Sequence, residues 1–241
     1  MDFNSQSSDP ERSRSYQNLE NARENASKTK GYNSEQTRNA LKDSFRERFG
    51  YDPHFWQLDI TEAMLLGLDC IVIAGTGAGK TAPFMMLVLP DPKKKTLILS
   101  PLKVLQEDQV SRFWAAKLPA AAVNGDTWDG DLKQDLEADI YQGIFASSEM
   151  CLKHPEFHRV LSDSNFEDMV GWIVDEAHCI GQWGGDFRPT YSELGKLRAF
   201  FPPDVPVLTA SATTTPLTLR DIRTTLGIDP QTSFFLNLGN D

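Results

Sequence analysis

The sequence predicts an α/β fold in which a mainly parallel β-sheet is covered by helices on both faces. From residue 56 onward, short continuous apolar runs alternate with longer helical patterns. Strands that are buried on both faces have this continuous apolar character, and the alternation is typical of a doubly wound domain. A glycine-rich loop, residues 75–81, follows the first apolar run and opens a helical pattern. Ligands of such sheets bind beyond the carboxyl ends of the strands, where this loop is expected to lie.

The N-terminal region differs in composition from the rest of the chain. Residues 1–34 are rich in Ser, Asn, Gln and charged residues and poor in large apolar ones, which predicts a disordered tail. Residues 35–48 predict an amphipathic helix that ends before Gly50. We therefore expect the folded domain to comprise residues 35–241.

The apolar runs predict the strands of the sheet, and the longer amphipathic patterns between them predict helices. Six strands are predicted, at residues 70–74, 96–100, 120–123, 143–146, 171–174 and 205–210. The helical patterns cover residues 57–66, 102–117 and 191–200.

The charge and cysteine content restrict the classes of function. The formal net charge is −10, so the chain lacks the overall basic character of a nucleic-acid binder, and any nucleic-acid site must be a local groove. The three cysteines are widely separated and form no Cys-x-x-Cys pair, which predicts neither a disulfide framework nor a zinc site. No signal peptide and no membrane-spanning run is recognisable, so a soluble intracellular protein without membrane partners is expected.

The loop after the first predicted strand has the pattern of a phosphate-binding loop. Small residues let successive backbone N–H groups curve around a phosphate, Lys80 would reach the β- and γ-phosphates, and the Thr81 hydroxyl would bind Mg²⁺. Ala74 occupies the position where the generic pattern has glycine, and a plain glycine-rich turn is the alternative interpretation. The predicted nucleotide-binding residues are Gly75, Thr76, Gly77, Ala78, Gly79, Lys80 and Thr81.

A second candidate site follows the predicted strand at 171–174. Asp175 and Glu176 come directly after this apolar run, and a carboxylate at that position beside a phosphate-binding loop is suited to hold Mg²⁺. Glu176 is placed to orient or deprotonate an attacking water, and His178 to sense the γ-phosphate. The alternatives are a solvated strand end and an ordinary loop histidine.

These motifs resemble those of a known family. The string Asp175-Glu-Ala-His178 resembles motif II of superfamily 2 helicases, and residues 179–189 are similar to the aromatic-rich loop of RecQ-type DNA helicases. Residues 74–81 resemble the superfamily's form of the phosphate-binding loop, which accounts for Ala74. Further similarities, in the family's order, are Phe49-Gly50 with Gln57 (adenine-reading motif), residues 100–102 and 108–110 (motif Ia), and Ser211-Ala-Thr213 (motif III).

The resemblance implies a RecA-like first lobe that binds ATP and Mg²⁺ and grips single-stranded or partly duplex DNA. It implies that Gln57 contacts adenine, that Asp175 and Thr81 hold Mg²⁺, and that Ser211 and Thr213 couple ATP state to strand movement. Trp183, Phe187 and Arg188 are the implied DNA-sensing residues, since bases stack on aromatic rings and a guanidinium pairs with phosphate. The alternative for Trp183 and Phe187 is that they anchor the loop on the core. The family also implies 3′-to-5′ movement and a nuclear location.

The sequence departs from the family pattern at two motifs. Phe55-Trp56 precede Gln57, where the family usually has an Arg nearby, which weakens the prediction of a preference for ATP. Residues 146–150 lack the Pro and Arg of the family's next motif, which weakens the prediction of a DNA contact there.

The resemblance extends from residue 49 to about 230, and no motif V or VI of a second helicase lobe is recognisable. The second lobe normally supplies an arginine finger, which is worth about 10³–10⁵ in turnover. We therefore expect the chain to bind nucleotide, to hydrolyse it slowly and to unwind nothing unless a second lobe acts in trans. A truncated nucleotide- or DNA-binding module is the alternative, whereas the ordered motifs disfavour a small-molecule kinase.

Overall fold

Seven strands form one parallel sheet in the computed structural model, which describes residues 9–162, 168–182 and 189–239. In chain order these strands are β1 (Cys70–Ile73), β2 (Lys95–Leu99), β3 (Ala120–Val123), β4 (Gly143–Ala146), β5 (Met169–Val174), β6 (Val207–Ser211) and β7 (Phe234–Asn237). Their order across the sheet is β3-β4-β2-β5-β6-β1-β7, and all six pairings are parallel.

The six predicted strands are confirmed, with ends that move by no more than two residues. Almost every residue of β1 to β6 is buried, as their continuous apolar sequences require. The edge strand β7 was not predicted, because an apolar run of only four residues after a turn-rich segment gives a weak strand signal.

The described ranges contain ten α-helices, of which the first three precede β1. They are α1 (Pro10–Lys30), α2 (Ser34–Phe49), α3 (Phe55–Leu65), α4 (Thr81–Met86), α5 (Lys103–Ala115), α6 (Gly130–Glu137), α7 (Ser148–Lys153), α8 (Pro155–Ser162), α9 (Cys179–Gln182) and α10 (Pro216–Leu226). The helix predicted over 191–200 is a 3₁₀ helix, Pro189–Phe200. In the described part of the chain, every helix is too short or too polar to cross a membrane.

Two apolar clusters cover the two faces of the sheet. One contains Phe45, Phe84 and Phe113 from α2, α4 and α5, together with strand residues such as Ile98. The other is built from strand residues, including the fully buried Trp172 of β5, and from side chains of α6 to α10 and the 3₁₀ helix. Helices therefore cover both faces of a parallel sheet, as predicted for an α/β fold of the RecA-like type.

The prediction of disorder for residues 1–34 is wrong for the part that the structure describes. Residues 10–30 form α1, which begins with an Asp9 cap on the Glu11 N–H and ends at Gly31 in the left-handed region (φ 66°). Only Leu19 among its large apolar residues is fully buried. Polar side chains also attach the helix, for Asn18 donates hydrogen bonds to two backbone carbonyls in 231–233. Composition alone predicts disorder because such contacts leave no apolar stripe.

A buried carboxylate also fixes α1 and α2 to the domain. The Glu62 side chain of α3 is fully buried and accepts hydrogen bonds from Arg23 (2.5 Å) and Arg38 (2.9 Å). It also accepts one from Tyr32 Oη (2.9 Å) and one from Ser34 Oγ (2.5 Å). The N-terminal helices are therefore an integral part of the folded domain.

Candidate functional site

The phosphate-binding loop connects the carboxyl end of β1 to the start of α4. Gly77 and Gly79 have φ values of 84° and 85°, which are strained for residues with a Cβ, and the tip of the loop is exposed. Lys80 Nζ donates hydrogen bonds to the carbonyl oxygens of Ala74 (2.6 Å) and Gly75 (3.0 Å). The ammonium group therefore lies inside the curve of the loop. Thr81 is the first residue of the six-residue helix α4.

The Gln57 side chain, predicted to contact adenine, is buried behind the loop. Its Nε2 donates a hydrogen bond to the Gly79 carbonyl (3.0 Å), and its Oε1 accepts one from the His54 N–H (2.8 Å). Gln57 as a whole residue is 3% exposed. In this arrangement Gln57 supports the phosphate-binding loop.

A cavity of about 340 Å³ lies beside Gln57 and the loop. The Phe45 and Phe49 rings lie with centroids 4.4 Å apart, and Phe45 and Tyr51 make an edge-to-face contact at 5.5 Å. These three rings line the cavity together with Gly79 and Thr81. An aromatic wall next to a phosphate-binding loop is suited to hold the planar base of a nucleotide.

Asp175 follows the carboxyl end of β5 and is almost completely buried, with 6% exposure. Its Oδ1 accepts a hydrogen bond from the Glu176 N–H (3.0 Å), and its Oδ2 accepts one from Gln109 Nε2 (2.7 Å). Burial raises the pKa of the Asp175 carboxyl, and the Glu176 charge adds to this rise, whereas the hydrogen bond from Gln109 opposes it.

Glu176 has a strained backbone conformation, with φ of 49° in the left-handed region. The half-buried His178 lies with Nδ1 3.2 Å from Glu176 Oε2. This hydrogen bond holds the pKa of the Glu176 carboxyl below its usual value. The Cys179 side chain and the Glu176 carboxylate raise the pKa of His178 to about 10. Glu176 is therefore ionised and His178 is protonated at neutral pH.

Hydrogen bonds connect Glu176 and His178 to the end of β6. His178 Nδ1 also lies 3.1 Å from Ser211 Oγ, and the Ser211 hydroxyl donates to the Thr213 carbonyl (2.7 Å). Since that hydroxyl proton is used on Thr213, Ser211 Oγ accepts from the His178 Nδ1–H, which it shares with Glu176 Oε2. The Thr213 side chain itself is exposed.

The order of the strands brings these groups together. Strand β6 lies between β5 and β1, so Ser211 stands between the two predicted motifs. The Ala74 N–H donates to the Ser211 carbonyl (3.0 Å), and the Ala177 N–H donates to the Ala210 carbonyl (3.0 Å). Lys80, at the end of the loop after β1, therefore stands at the same edge of the sheet as Asp175 and Glu176 after β5.

The predicted DNA-sensing residues Trp183, Phe187 and Arg188 lie outside the described residues. The segment after them is anchored: the Thr190 hydroxyl donates to Glu149 Oε1 (3.0 Å) and lies 2.6 Å from Ser148 Oγ. Ser148 and Glu149 lie in residues 146–150, where the family has its next motif. They thus contact the residue that follows the predicted DNA loop.

Sequence reasoning missed Gln109 as a residue of the site. Residues 108–110 were recognised only as part of a motif, and no pattern predicted that Gln109 contacts Asp175. The available signal was a pair of glutamines three residues apart, Gln106 and Gln109, on the face of α5 that carries Phe113. Both are buried. Polar residues on the buried face of a helix are unusual enough to indicate a specific partner.

A comparison with known families identifies the chain. The family described as DEAD/DEAH box helicase matches residues 56–222, which include both candidate motifs.

Curated relatives point to one branch of helicases. The chain is 28% identical over 219 residues to the RecQ-like DNA helicase BLM of Xenopus laevis, covering 88% of this chain and 16% of that protein. It is 34% identical over 166 residues to the ATP-dependent DNA helicase RecQ of Synechocystis (67% and 34% of the two chains). It is 35% identical over 180 residues to the ATP-dependent DNA helicase RecQ of Haemophilus influenzae, covering 72% of this chain and 28% of that protein. The chain thus spans about a third or less of the length of these relatives.

Solved structures agree on the fold. The Hef helicase domain of Pyrococcus furiosus superposes with a TM-score of 0.58 at 20% identity, covering 80% of this chain and 39% of that one. The DUF1998 helicase MrfA superposes with a TM-score of 0.62 at 17% identity, covering 83% and 32%. The chain therefore belongs to the DEAD/DEAH box helicase family, in which it represents the first RecA-like lobe of a RecQ-like superfamily 2 helicase.

Proposed function

We propose that this chain is the ATP-binding lobe of a RecQ-like ATP-dependent 3′-to-5′ DNA helicase, which binds ATP with Mg²⁺ and single-stranded DNA. The observation that carries the proposal is the convergence of Lys80, Asp175, Glu176 and Ser211 at the carboxyl ends of β1, β5 and β6. This edge of a parallel sheet is where ligands bind in the fold class.

Nucleotide binding would begin with a change at Lys80. The ammonium group now satisfies two loop carbonyls, and the β- and γ-phosphates of ATP would take over part of that role. The loop N–H groups would receive the remaining phosphate oxygens. The aromatic cavity formed by Phe45, Phe49 and Tyr51 would receive the adenine, with Gln57 holding the loop from behind.

The chain's residues fit a Mg²⁺ ion. Asp175 supplies a buried carboxylate and Thr81 a hydroxyl, both oxygen ligands that Mg²⁺ prefers, although no three acidic, histidine or cysteine residues cluster as a metal cage among the described residues. Mg²⁺ commonly binds through one or two protein groups plus phosphates and water. The bound ion would neutralise charge on the phosphates and favour the ionised form of Asp175.

Glu176 is proposed to orient and deprotonate the water that attacks the γ-phosphate. The contact with His178 keeps the carboxylate ionised and holds it in place. A movement of Glu176 on loss of the γ-phosphate would change how the His178 Nδ1–H is shared between Glu176 Oε2 and Ser211 Oγ. Ser211 and Thr213 are therefore the proposed coupling residues.

DNA would be bound in a local groove, because the chain as a whole is acidic. Trp183, Phe187 and Arg188 are the proposed contacts, through base stacking and phosphate pairing. Action on chromosomal DNA would place the protein in the nucleus of a eukaryotic cell.

Turnover by the isolated chain is proposed to be slow. An arginine finger from a second RecA-like lobe typically accounts for about 10³–10⁵ of the rate. A second lobe, in trans or elsewhere in a longer protein, would be needed for hydrolysis at helicase rates and for unwinding.

The test is ATP turnover by the purified chain with and without single-stranded DNA, together with binding of a fluorescent ATP analogue. We expect binding that is lost in Lys80→Ala, and turnover that is slow and abolished in Glu176→Gln. DNA-stimulated turnover at helicase rates would contradict the requirement for a second lobe. Absence of nucleotide binding by the folded chain would contradict the proposal as a whole, and binding without turnover under any condition would indicate a nucleotide-binding module.

A further inference from the structure

Gln109 lies on the buried face of α5 and makes one contact with the proposed metal site. Its Nε2 donates a hydrogen bond of 2.7 Å to Asp175 Oδ2. Gln109 as a whole residue is 8% exposed. Since an ionised carboxylate only accepts hydrogen bonds, the contact determines the assignment of the amide: the nitrogen, and not the oxygen, is the atom that bonds to Asp175.

The oxygen of this amide is the unusual feature. Gln109 Oε1 is fully buried and has no hydrogen-bond partner within the described residues. A buried carbonyl oxygen of this kind is normally paired with protein or with water. This oxygen belongs to the same amide group whose nitrogen bonds to Asp175, the predicted Mg²⁺ ligand.

Both Asp175 oxygens already accept one hydrogen bond from the protein, from the Glu176 N–H and from Gln109. These two donors hold the carboxylate in one orientation, and each oxygen keeps a lone pair for a further ligand. Mg²⁺ usually retains several of its waters, and those waters donate hydrogen bonds to acceptors around the site. Gln109 Oε1 is such an acceptor.

We infer that Gln109 is a positioning residue for the Mg²⁺ site, whose nitrogen orients Asp175 and whose oxygen accepts a hydrogen bond from a water of the hydrated ion. The inference rests on the proposed function, because it needs Mg²⁺ at Asp175. Helix α5 would then influence metal affinity through Gln109, a side chain that contacts neither the nucleotide nor the metal directly.

Gln106 provides a matched control. It is also a buried glutamine of α5, one turn before Gln109, and both ends of its amide are hydrogen-bonded: Nε2 to the Ser100 carbonyl (3.2 Å) and Oε1 to Asn124 Nδ2 (2.9 Å). None of these contacts involves Asp175. Gln106→Met therefore disturbs the same face of the same helix and spares the metal ligand.

The experiment measures affinity for a fluorescent ATP analogue in EDTA and across a Mg²⁺ titration, for the wild-type chain and for Gln109→Met, Gln109→Asn, Gln106→Met and Asp175→Asn. Met conserves volume without polar atoms, and Asn keeps the amide but is one methylene too short to reach Asp175. We expect unchanged binding in EDTA for both Gln109 variants and a rise of about tenfold in the Mg²⁺ concentration that gives half of the metal-dependent gain. Gln106→Met is expected to match the wild type.

The outcomes separate the inference from the proposed function. A wild-type chain without any Mg²⁺-dependent gain, or a gain that survives in Asp175→Asn, would overturn the metal site itself. A gain that is lost in Asp175→Asn but kept in both Gln109 variants, or lost equally in Gln106→Met, would overturn only the role of Gln109.

A second measurement needs no variant to fold. In the wild-type chain with bound ATP, the side-chain amide resonances of Gln109 are expected to shift when Mg²⁺ replaces EDTA, and those of Gln106 to stay in place. A Gln109 amide that does not respond to Mg²⁺ would contradict the inference.

Discussion

The Gln57 side-chain amide and the Gly79 carbonyl are joined by a 3.0 Å hydrogen bond, which ties helix α3 to the phosphate-binding loop. The other end of the same amide closes a cap on the His54 N–H at the start of α3. One buried side chain thus connects the beginning of a helix to the loop proposed to hold phosphate, and the loop's conformation depends on it.

Gln57→Ala is expected to weaken nucleotide binding about tenfold. The variant removes the hydrogen bond to Gly79, and an interaction of about 1–1.5 kcal/mol corresponds to roughly that factor in affinity. Titration with a fluorescent ATP analogue measures it. Gln134→Ala, an exposed glutamine on α6, should bind like the wild type. Equal affinities of the two variants would argue against a supporting role for Gln57.

Gly79→Ala is expected to destabilise the chain more than Gly77→Ala. Both glycines have φ near 85°, where a Cβ costs about 1–2 kcal/mol. A Cβ at Gly77 meets open space, whereas one at Gly79 would lie 2.7 Å from Gln57 Nε2. Urea denaturation of the two variants measures the difference. Combining Gly79→Ala with Gln57→Ala should cost less than the sum of the two single changes, because the collision is then gone; strict additivity would show that it never existed.

The imidazole of His178 is expected to stay protonated well above pH 6.5, since Cys179 and Glu176 raise its pKa to about 10. The pair with Glu176 contributes stability that is complete below the unfolded histidine's pKa and is lost as pH rises through the folded value. NMR titration of the ring protons measures this pKa. Glu176→Gln should lower it, and an unchanged value in that variant would show that the ion pair is not formed in solution.

Glu62→Gln is expected to lower the free energy of unfolding by about 3 kcal/mol, because two arginines lose their buried partner. Burial alone would raise the pKa of Glu62, but the hydrogen bonds from Arg23, Ser34 and Arg38 outweigh it and the pKa is lowered. The carboxylate's stabilising contribution is therefore present above the unfolded glutamate's pKa and is lost as pH falls through the lowered folded value.

Chemical denaturation at neutral and acidic pH measures both effects of Glu62. Glu24→Gln is the control, since Glu24 is exposed and pairs with Lys28 on the surface. If the Glu62 and Glu24 variants unfold alike, the attachment of α1 and α2 does not depend on the buried carboxylate.

The positions that sequence predicted best are those where one local pattern decides the structure. The strand at 70–73 and the loop after it are specified by apolar residues followed by small ones, and the Asp175-Glu176 pair is specified by its place at a strand end. Both patterns match the observed structure, because buried parallel strands must be apolar and their carboxyl ends must meet at one edge of the sheet.

Contacts between distant polar residues were not predictable in this way. Arg23 and Glu62 are 39 positions apart, and Gln109 and Asp175 are 66 apart. Neither contact leaves a periodic signal, because the pairing depends on tertiary packing rather than on local propensity. The same reason explains why α1 looked like a disordered tail: its partners lie on α3 and beside β7.

Helix α1 also determines what the open side of the sheet can do. Strand β7 is an outer strand of the sheet. Its Phe235 N–H points away from β1 and donates a hydrogen bond of 2.9 Å to Ser15 Oγ of α1. Asn18 occupies two carbonyls just before the same strand. An unprotected outer strand is a template for strand addition by another copy. A chain that begins at residue 31 would expose this edge, and we expect it to self-associate through β7 more readily than the full chain.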